Sequence, residues 1–241
     1  MDNEGSNLER LDGFVQCFFL AQIIGLGLII GVFYWSIAFG GGFSLSGAAL
    51  FNWHPLLMTI GMIYLCGNAI LTFRAFRNLH KIKLKLIHSS INGVALVFIV
   101  LGAVAVLANH IESGIANFYS IHSWVGLTAV LLYVAQAVIG FIAFLIPGLA
   151  SPTKAKLLPY HVYVGHAVFV IGSVAAVSGI NEKAVFKMPN TYSELGSEAV
   201  LLNLLGLLFV AFAAVVTYIS TNVFYKRYSH PEDSELLAKT S

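Results

Sequence analysis

The stretch His122–Ile146, HSWVGLTAVLLYVAQAVIGFIAFLI, decides the fold. It holds no Asp, Glu, Lys or Arg, and at ~1.5 Å per residue it is long enough to cross ~30 Å of hydrocarbon as one helix. Its first residue is a histidine, a side chain that is costly at membrane depth and needs a partner or a task there. Five further runs share this character: Phe14–Ile37, Trp53–Phe76, Ile87–Ala108, His161–Ile180 and Ala199–Phe224. A transmembrane barrel needs ~10-residue segments of alternating polarity instead, and the sequence has none. Composition agrees. The chain is 58% hydrophobic and 10% charged, with a mean hydropathy of +0.84, whereas soluble domains average about 25% charged. The expected fold class is all-α, a polytopic membrane protein with six transmembrane helices.

Turn residues punctuate the runs. Gly40-Gly41-Gly42 follows the first, and Pro55 falls in the first turn of the second, where a missing N–H costs nothing. Pro147-Gly148 ends the fourth, and Pro159 precedes the fifth. Orientation follows from Lys and Arg. With the N-terminus in the cytoplasm, all of the 13 basic residues except Lys183 and Lys187 fall on the cytoplasmic face. Both termini are therefore expected in the cytoplasm. Residues 1–13 read as a cytoplasmic segment, 14–228 as the membrane domain and 229–241 as a cytoplasmic tail. Met1–Asp12 lacks a basic n-region and a cleavage site, so the first run reads as a retained signal anchor. Cys17 and Cys66 both lie inside apolar runs and read as buried thiols. Gly27-x-x-x-Gly31 is a small-residue pattern that permits close helix contact.

Alternating topology sets the depth of four histidines. His54 and His122 stand near the outer ends of the second and fourth runs, and His88 and His161 near the inner ends of the third and fifth. A span of ~30 Å keeps outer and inner histidines from sharing one ligand. The pairings at equal depth are His54 with His122 and His88 with His161, inside a central four-helix bundle of helices 2–5, a usual place for a cofactor. Two imidazoles fill both axial positions of a haem. They leave zinc two ligands short, with no Cys, Asp or Glu at matching depth to complete a tetrahedron. The competing reading is a histidine-lined metal-ion or proton transporter without haem, or unrelated helix-end histidines.

Four stretches resemble the cytochrome b561 family: Phe51-Asn52-Trp53-His54-Pro55; Gly67-Asn68-Ala69 followed by Phe73-Arg74; Asn117-Phe118-Tyr119-Ser120-Ile121-His122-Ser123-Trp124; and Pro159-Tyr160-His161-Val162. The resemblance covers about residues 14–228. It implies a six-helix homodimer with two haem b per chain. It implies a transmembrane reductase that moves electrons from cytosolic ascorbate to monodehydroascorbate or ferric iron. It makes the four histidines the axial ligands, in the pairing that depth alone suggests, and gives Asn109 and His110 a role in receiving the acceptor.

The remaining site candidates surround these two levels. Arg74, Lys81, Lys85, Lys154 and Lys226 cluster toward the inner pair, where cations steer and hold anions such as haem propionates or ascorbate. The resemblance supports Lys81 and Lys85 as the ascorbate site. Each of these charges also satisfies the positive-inside rule. On the outer face, Asn117, Tyr119 and Ser120 have hydrogen-bonding groups suited to propionates, and Glu182 is a further candidate. His166, five residues after His161, points about 140° away and reads as a packing or surface residue. In the tail, Glu232 precedes Leu236-Leu237 in the manner of an adaptor-read sorting signal. The expected location is therefore an endolysosomal or secretory-vesicle membrane, with the plasma membrane as the alternative. No nucleic-acid partner is expected.

Overall fold

The computed structural model describes residues 13–227. The two outer segments, and with them the dileucine pattern at 232–237, lie outside the described residues. Six long helices carry the described chain: α1 Phe14–Ala38, α2 Ala48–Ala75, α3 Lys81–Ser113, α4 Ile121–Leu145, α5 Ser151–Lys187 and α6 Ser197–Thr221. Each is long and apolar enough to cross a membrane. Their outward faces are apolar, as at Ile23, Ile30, Val104, Leu131 and Leu207, which suits lipid rather than water.

Local chemistry explains several boundaries. The Ser120 side chain accepts from the Ser123 backbone and the Ser123 hydroxyl accepts from the Ser120 backbone, a capping box that starts α4. α3 stops at Gly114, which takes the left-handed conformation while Ile115 N–H reaches the His110 carbonyl. Two helices contain widened π-helical segments, Thr59–Leu65 in α2 and Phe141–Leu145 at the end of α4. Such insertions shift the helical phase and often accompany functional sites.

Three spans are longer than the hydrophobic runs. A 3₁₀ turn, Ala48–Asn52, precedes the α-helical start of α2 at Trp53. α3 begins at Lys81 rather than Ile87, because the basic segment is itself helical. α5 begins at Ser151 rather than His161, with Pro159 inside the helix. A proline there removes one N–H and crowds one carbonyl, yet Ala155 and Pro159 are both exposed, so solvent at the helix end can satisfy the freed group.

α4 lies along α5, α2 along α3, and α1 along α6, with α2 and α5 joining the two layers. The core between them holds Leu28, Ile63, Leu71, Ile99, Phe169 and Phe212. Gly25 admits Tyr64 and Phe212 at distances no side chain allows: an added Cβ would sit 2.5 Å from the Tyr64 ring. Of the Gly27/Gly31 pair, Gly31 packs on Leu205 while Gly27 has no neighbour within 4 Å. Close approach of α1 thus uses Gly25 and Gly31. A polar chain crosses the same interface, with Tyr64 donating to Gln22 at 2.9 Å and Gln22 to Asn68 at 2.9 Å.

Candidate functional site

The bundle α2–α5 brings the four histidines into two pairs. His54 and His122 have ring centroids 6.1 Å apart with planes at 86°. His88 and His161 have centroids 6.3 Å apart with planes at 72°. Three of the four place Nδ1 on a backbone carbonyl: His54 on Gly102 at 3.1 Å, His88 on Ala69 at 2.8 Å and His122 on Ala175 at 2.9 Å. A carbonyl only accepts, so Nδ1 carries the hydrogen and Nε2 presents a lone pair, which in His88 faces the Asn92 amide. His161 reaches the same tautomer through a side chain. Its Nδ1 donates to Gln136 Oε1 at 2.9 Å, while Gln136 Nε2 donates to the His161 carbonyl at 2.8 Å.

Glycines make room for two of the rings. A Cβ at Gly179 would lie 2.6 Å from His122, and one at Gly140 would lie 2.7 Å from His161. Phe73 stands edge-on to His88, and Phe144 tilts over His161 at 5.1 Å. Near the inner pair, Tyr133 donates to Asn92 Oδ1 at 2.7 Å, and Asn92 Nδ2 lies 3.2 Å from His88 Nε2.

The arrangement fits a haem at each level. Two metal–nitrogen bonds of ~2.0 Å plus half of each imidazole come to about 6 Å, the separation seen in both pairs. A cavity of about 310 Å³ lies between His54 and His122, apolar on its walls and floor through Pro55, Met62, Val130 and Phe209. Its mouth carries His110, Asn117, Tyr119, Ser120, Glu182 and Lys183. Apolar walls with a polar rim suit a macrocycle that ends in carboxylates. Among the described residues, no three His, Cys, Asp or Glu converge as a metal-ion site.

The other sequence candidates fall around these levels. His110 Nδ1 pairs with Asn117 Oδ1 at 3.1 Å on the cavity rim. Asn109 is buried and donates to the Gly47 carbonyl, tying α3 to the loop before α2. The Ser120 hydroxyl is engaged in the helix cap. At the inner end, Lys85 donates to the Phe144 carbonyl at 3.0 Å, with Lys81 and Lys154 near enough for their charges to act on it. Arg74 donates to the Ser220 carbonyl at the end of α6, and Lys226 is exposed just beyond that helix. His166 donates or accepts at Ser220 Oγ, 2.8 Å away, and belongs to that α5–α6 contact.

Sequence reasoning missed Gln136, Asn92 and Lys183. A polar residue inside an apolar run was the available signal for the first two. Lys183 was counted as an outer-face charge, and only the packed structure places it in the cavity wall.

A profile of the eukaryotic cytochrome b561 family matches residues 53–187. The transmembrane ascorbate-dependent reductase of Sus scrofa is 39% identical over 216 residues, covering 90% of this chain and 86% of its own. The lysosomal membrane ascorbate-dependent ferrireductase of Danio rerio is 38% identical over 232 residues, covering 92% and 94%. Its counterpart in Homo sapiens is 38% identical over 220 residues, covering 89% and 90%.

Proposed function

The chain belongs to the eukaryotic cytochrome b561 family, and from that membership we propose that it is an ascorbate-dependent transmembrane reductase. It delivers single electrons from cytoplasmic ascorbate to monodehydroascorbate or ferric iron on the opposite face. Two haem b groups, one held by His54 and His122 and one by His88 and His161, supply the one-electron redox chemistry.

The observation that carries this reading is the pair of facing imidazoles at each level, with every Nδ1 committed to an acceptor. The chain's own residues do the rest. Gly102, Ala69, Ala175 and Gln136 fix the tautomer and ring orientation. Gly140 and Gly179 keep His161 and His122 unobstructed. Lys81 and Lys85 bind the ascorbate anion, and Lys154 adds positive potential at the same mouth. The proton that leaves with each electron passes to water at that mouth, where Lys81 is exposed. Arg74 and Lys226 supply cations for inner carboxylates, and Asn117, Tyr119, Ser120 and Glu182 line the outer ones. His110 and Asn109 stand where the acceptor arrives.

Both termini face the cytoplasm in this reading, and the protein works as a homodimer in an endolysosomal or secretory-vesicle membrane. The lysosomal location named for the Danio rerio and Homo sapiens relatives supports that placement. Haem content of the purified protein is the test. Two haems per chain are expected, falling to one in either His88→Ala or His161→Ala, with the surviving signal identical in the two variants. Retention of both haems in either variant would overturn the assignment.

A further inference from the structure

The outer face has two cations, and the structure separates their roles. Lys187 is committed to structure. Its Nζ donates to Glu198 Oε1 and to the Phe39 carbonyl, and Trp35 Nε1 donates to the same Glu198 oxygen at 2.8 Å. This clamp joins α1, α5 and α6.

Lys183 has no such partner: among the described residues no carboxylate lies within ion-pair distance of it. It follows Gly179 by four residues, which puts it on the helix face that opens to the His122 ring, and it lines the outer cavity. Its ammonium rests 4.0 Å from the Phe51 ring centroid. Phe51 in turn lies 6.0 Å from the His54 ring. Lys183 thus shares one cavity lining with both outer histidines and reaches the His54 side through Phe51. A cation over a ring gains less than it gains from a charge-assisted hydrogen bond to an anion in a partly desolvated mouth. Glu198 acts on Lys183 only from beyond ion-pair distance, so the ammonium keeps hydrogen-bond donors for a ligand in the cavity.

We propose that Lys183 anchors the electron acceptor at the outer cavity and selects acceptors that arrive as anions. This rests on the reductase reading above and names the substrate class of its outer site. Suitable acceptors are the monodehydroascorbate anion or a ferric ion still complexed by polycarboxylate, and a bare aquated ferric cation is disfavoured. The acceptor gains the electron that ascorbate loses on the other face. Lys183 binds and takes no part in the redox step. Glu182 shares the cavity and opposes the charge of Lys183. Removing the lysine therefore turns the mouth from near neutral to negative.

The test uses proteoliposomes of the full chain loaded with ascorbate, offered ferricyanide (an anion) or hexaammineruthenium(III) (a cation) outside. Lys183→Ala should raise KM for ferricyanide about tenfold, the effect of one charged hydrogen bond, and leave KM for the cation unchanged or lower. kcat and haem content per chain should stay at wild-type values, and Lys183→Arg should restore ferricyanide binding. Equal shifts for both acceptors, no shift for either, or loss of one haem in Lys183→Ala would each overturn the proposal, the last because the lysine would then hold the resident group. Failure of the wild-type protein to reduce either acceptor would instead sink the reductase reading itself.

Discussion

Three of the four paired imidazoles hang on backbone carbonyls that no substitution can remove, whereas His161 depends on the Gln136 amide. The inner level therefore has a side-chain handle on ligand basicity. Gln136→Glu replaces an amide oxygen with a carboxylate, which pulls harder on the Nδ1 hydrogen and makes the imidazole a stronger donor. The expected outcome is a lower midpoint potential for one of two haems. A tenfold change in its reduction equilibrium corresponds to ~59 mV. Gln136→Leu should shift the same centre upward and broaden its spectrum. Redox titration with spectroscopic readout decides this, and a shift of both centres together would argue against a local effect. Gln136 was visible in the sequence as an amide in an apolar run, but its partner was not, since the two residues are 25 positions apart and meet only when α4 lies along α5.

The helices position their histidines partly by what they omit. Gly179 and Gly140 leave gaps that the rings of His122 and His161 occupy. A methyl group at either site would overlap a ring held by its Nδ1 bond, so the ring must shift and that bond must stretch. Gly179→Ala should deplete the outer haem and spare the inner one, and Gly140→Ala should do the reverse. Haem per chain, measured beside Gly206→Ala, checks this, because a Cβ at Gly206 meets nothing within 4 Å and that variant should keep both haems. Periodicity marks such glycines as helical but does not reveal the ring opposite. The early start of α5 has a similar explanation. Pro159 reads as a boundary along the sequence, yet the first turns of this helix are exposed and tolerate it.

At the scale of the whole molecule, α1 and α6 lie together beside the four-helix bundle and fasten to it at both ends. At the C-terminal end of α6, Ser220 takes Arg74 from α2 on its carbonyl and pairs through its hydroxyl with His166 from α5. At the outer end, Glu198 on α6 receives Trp35 from α1 and Lys187 from α5. Glu198→Gln replaces a carboxylate acceptor with a neutral amide and weakens both bonds. A loss of about 1–2 kcal/mol is expected for a half-buried charged contact, read as a Tm lower by about 2–8 °C for a chain of this size. The haem spectrum should be unchanged, because none of the clamp's hydrogen bonds is to either histidine pair. A Tm equal to wild type would show that the Glu198 clamp adds nothing to the apolar packing and the Ser220 contacts that hold α6.

Local composition was enough for the number of spans, and it set the expectation for their direction across the membrane and for the depth of each histidine. Lipid imposes a length and a charge asymmetry on every helix independently, so those features are written within single runs. The preference for His54 with His122 and His88 with His161 followed from depth, and the folded chain brings those rings together. Everything that depends on which face of one helix meets which face of another came from packing. That includes Gln136 behind His161, Gly179 beneath His122, and Lys183 drawn into the cavity wall while Lys187 is not. These residues are ordinary in their own runs, and their roles arise only from neighbours dozens of positions away.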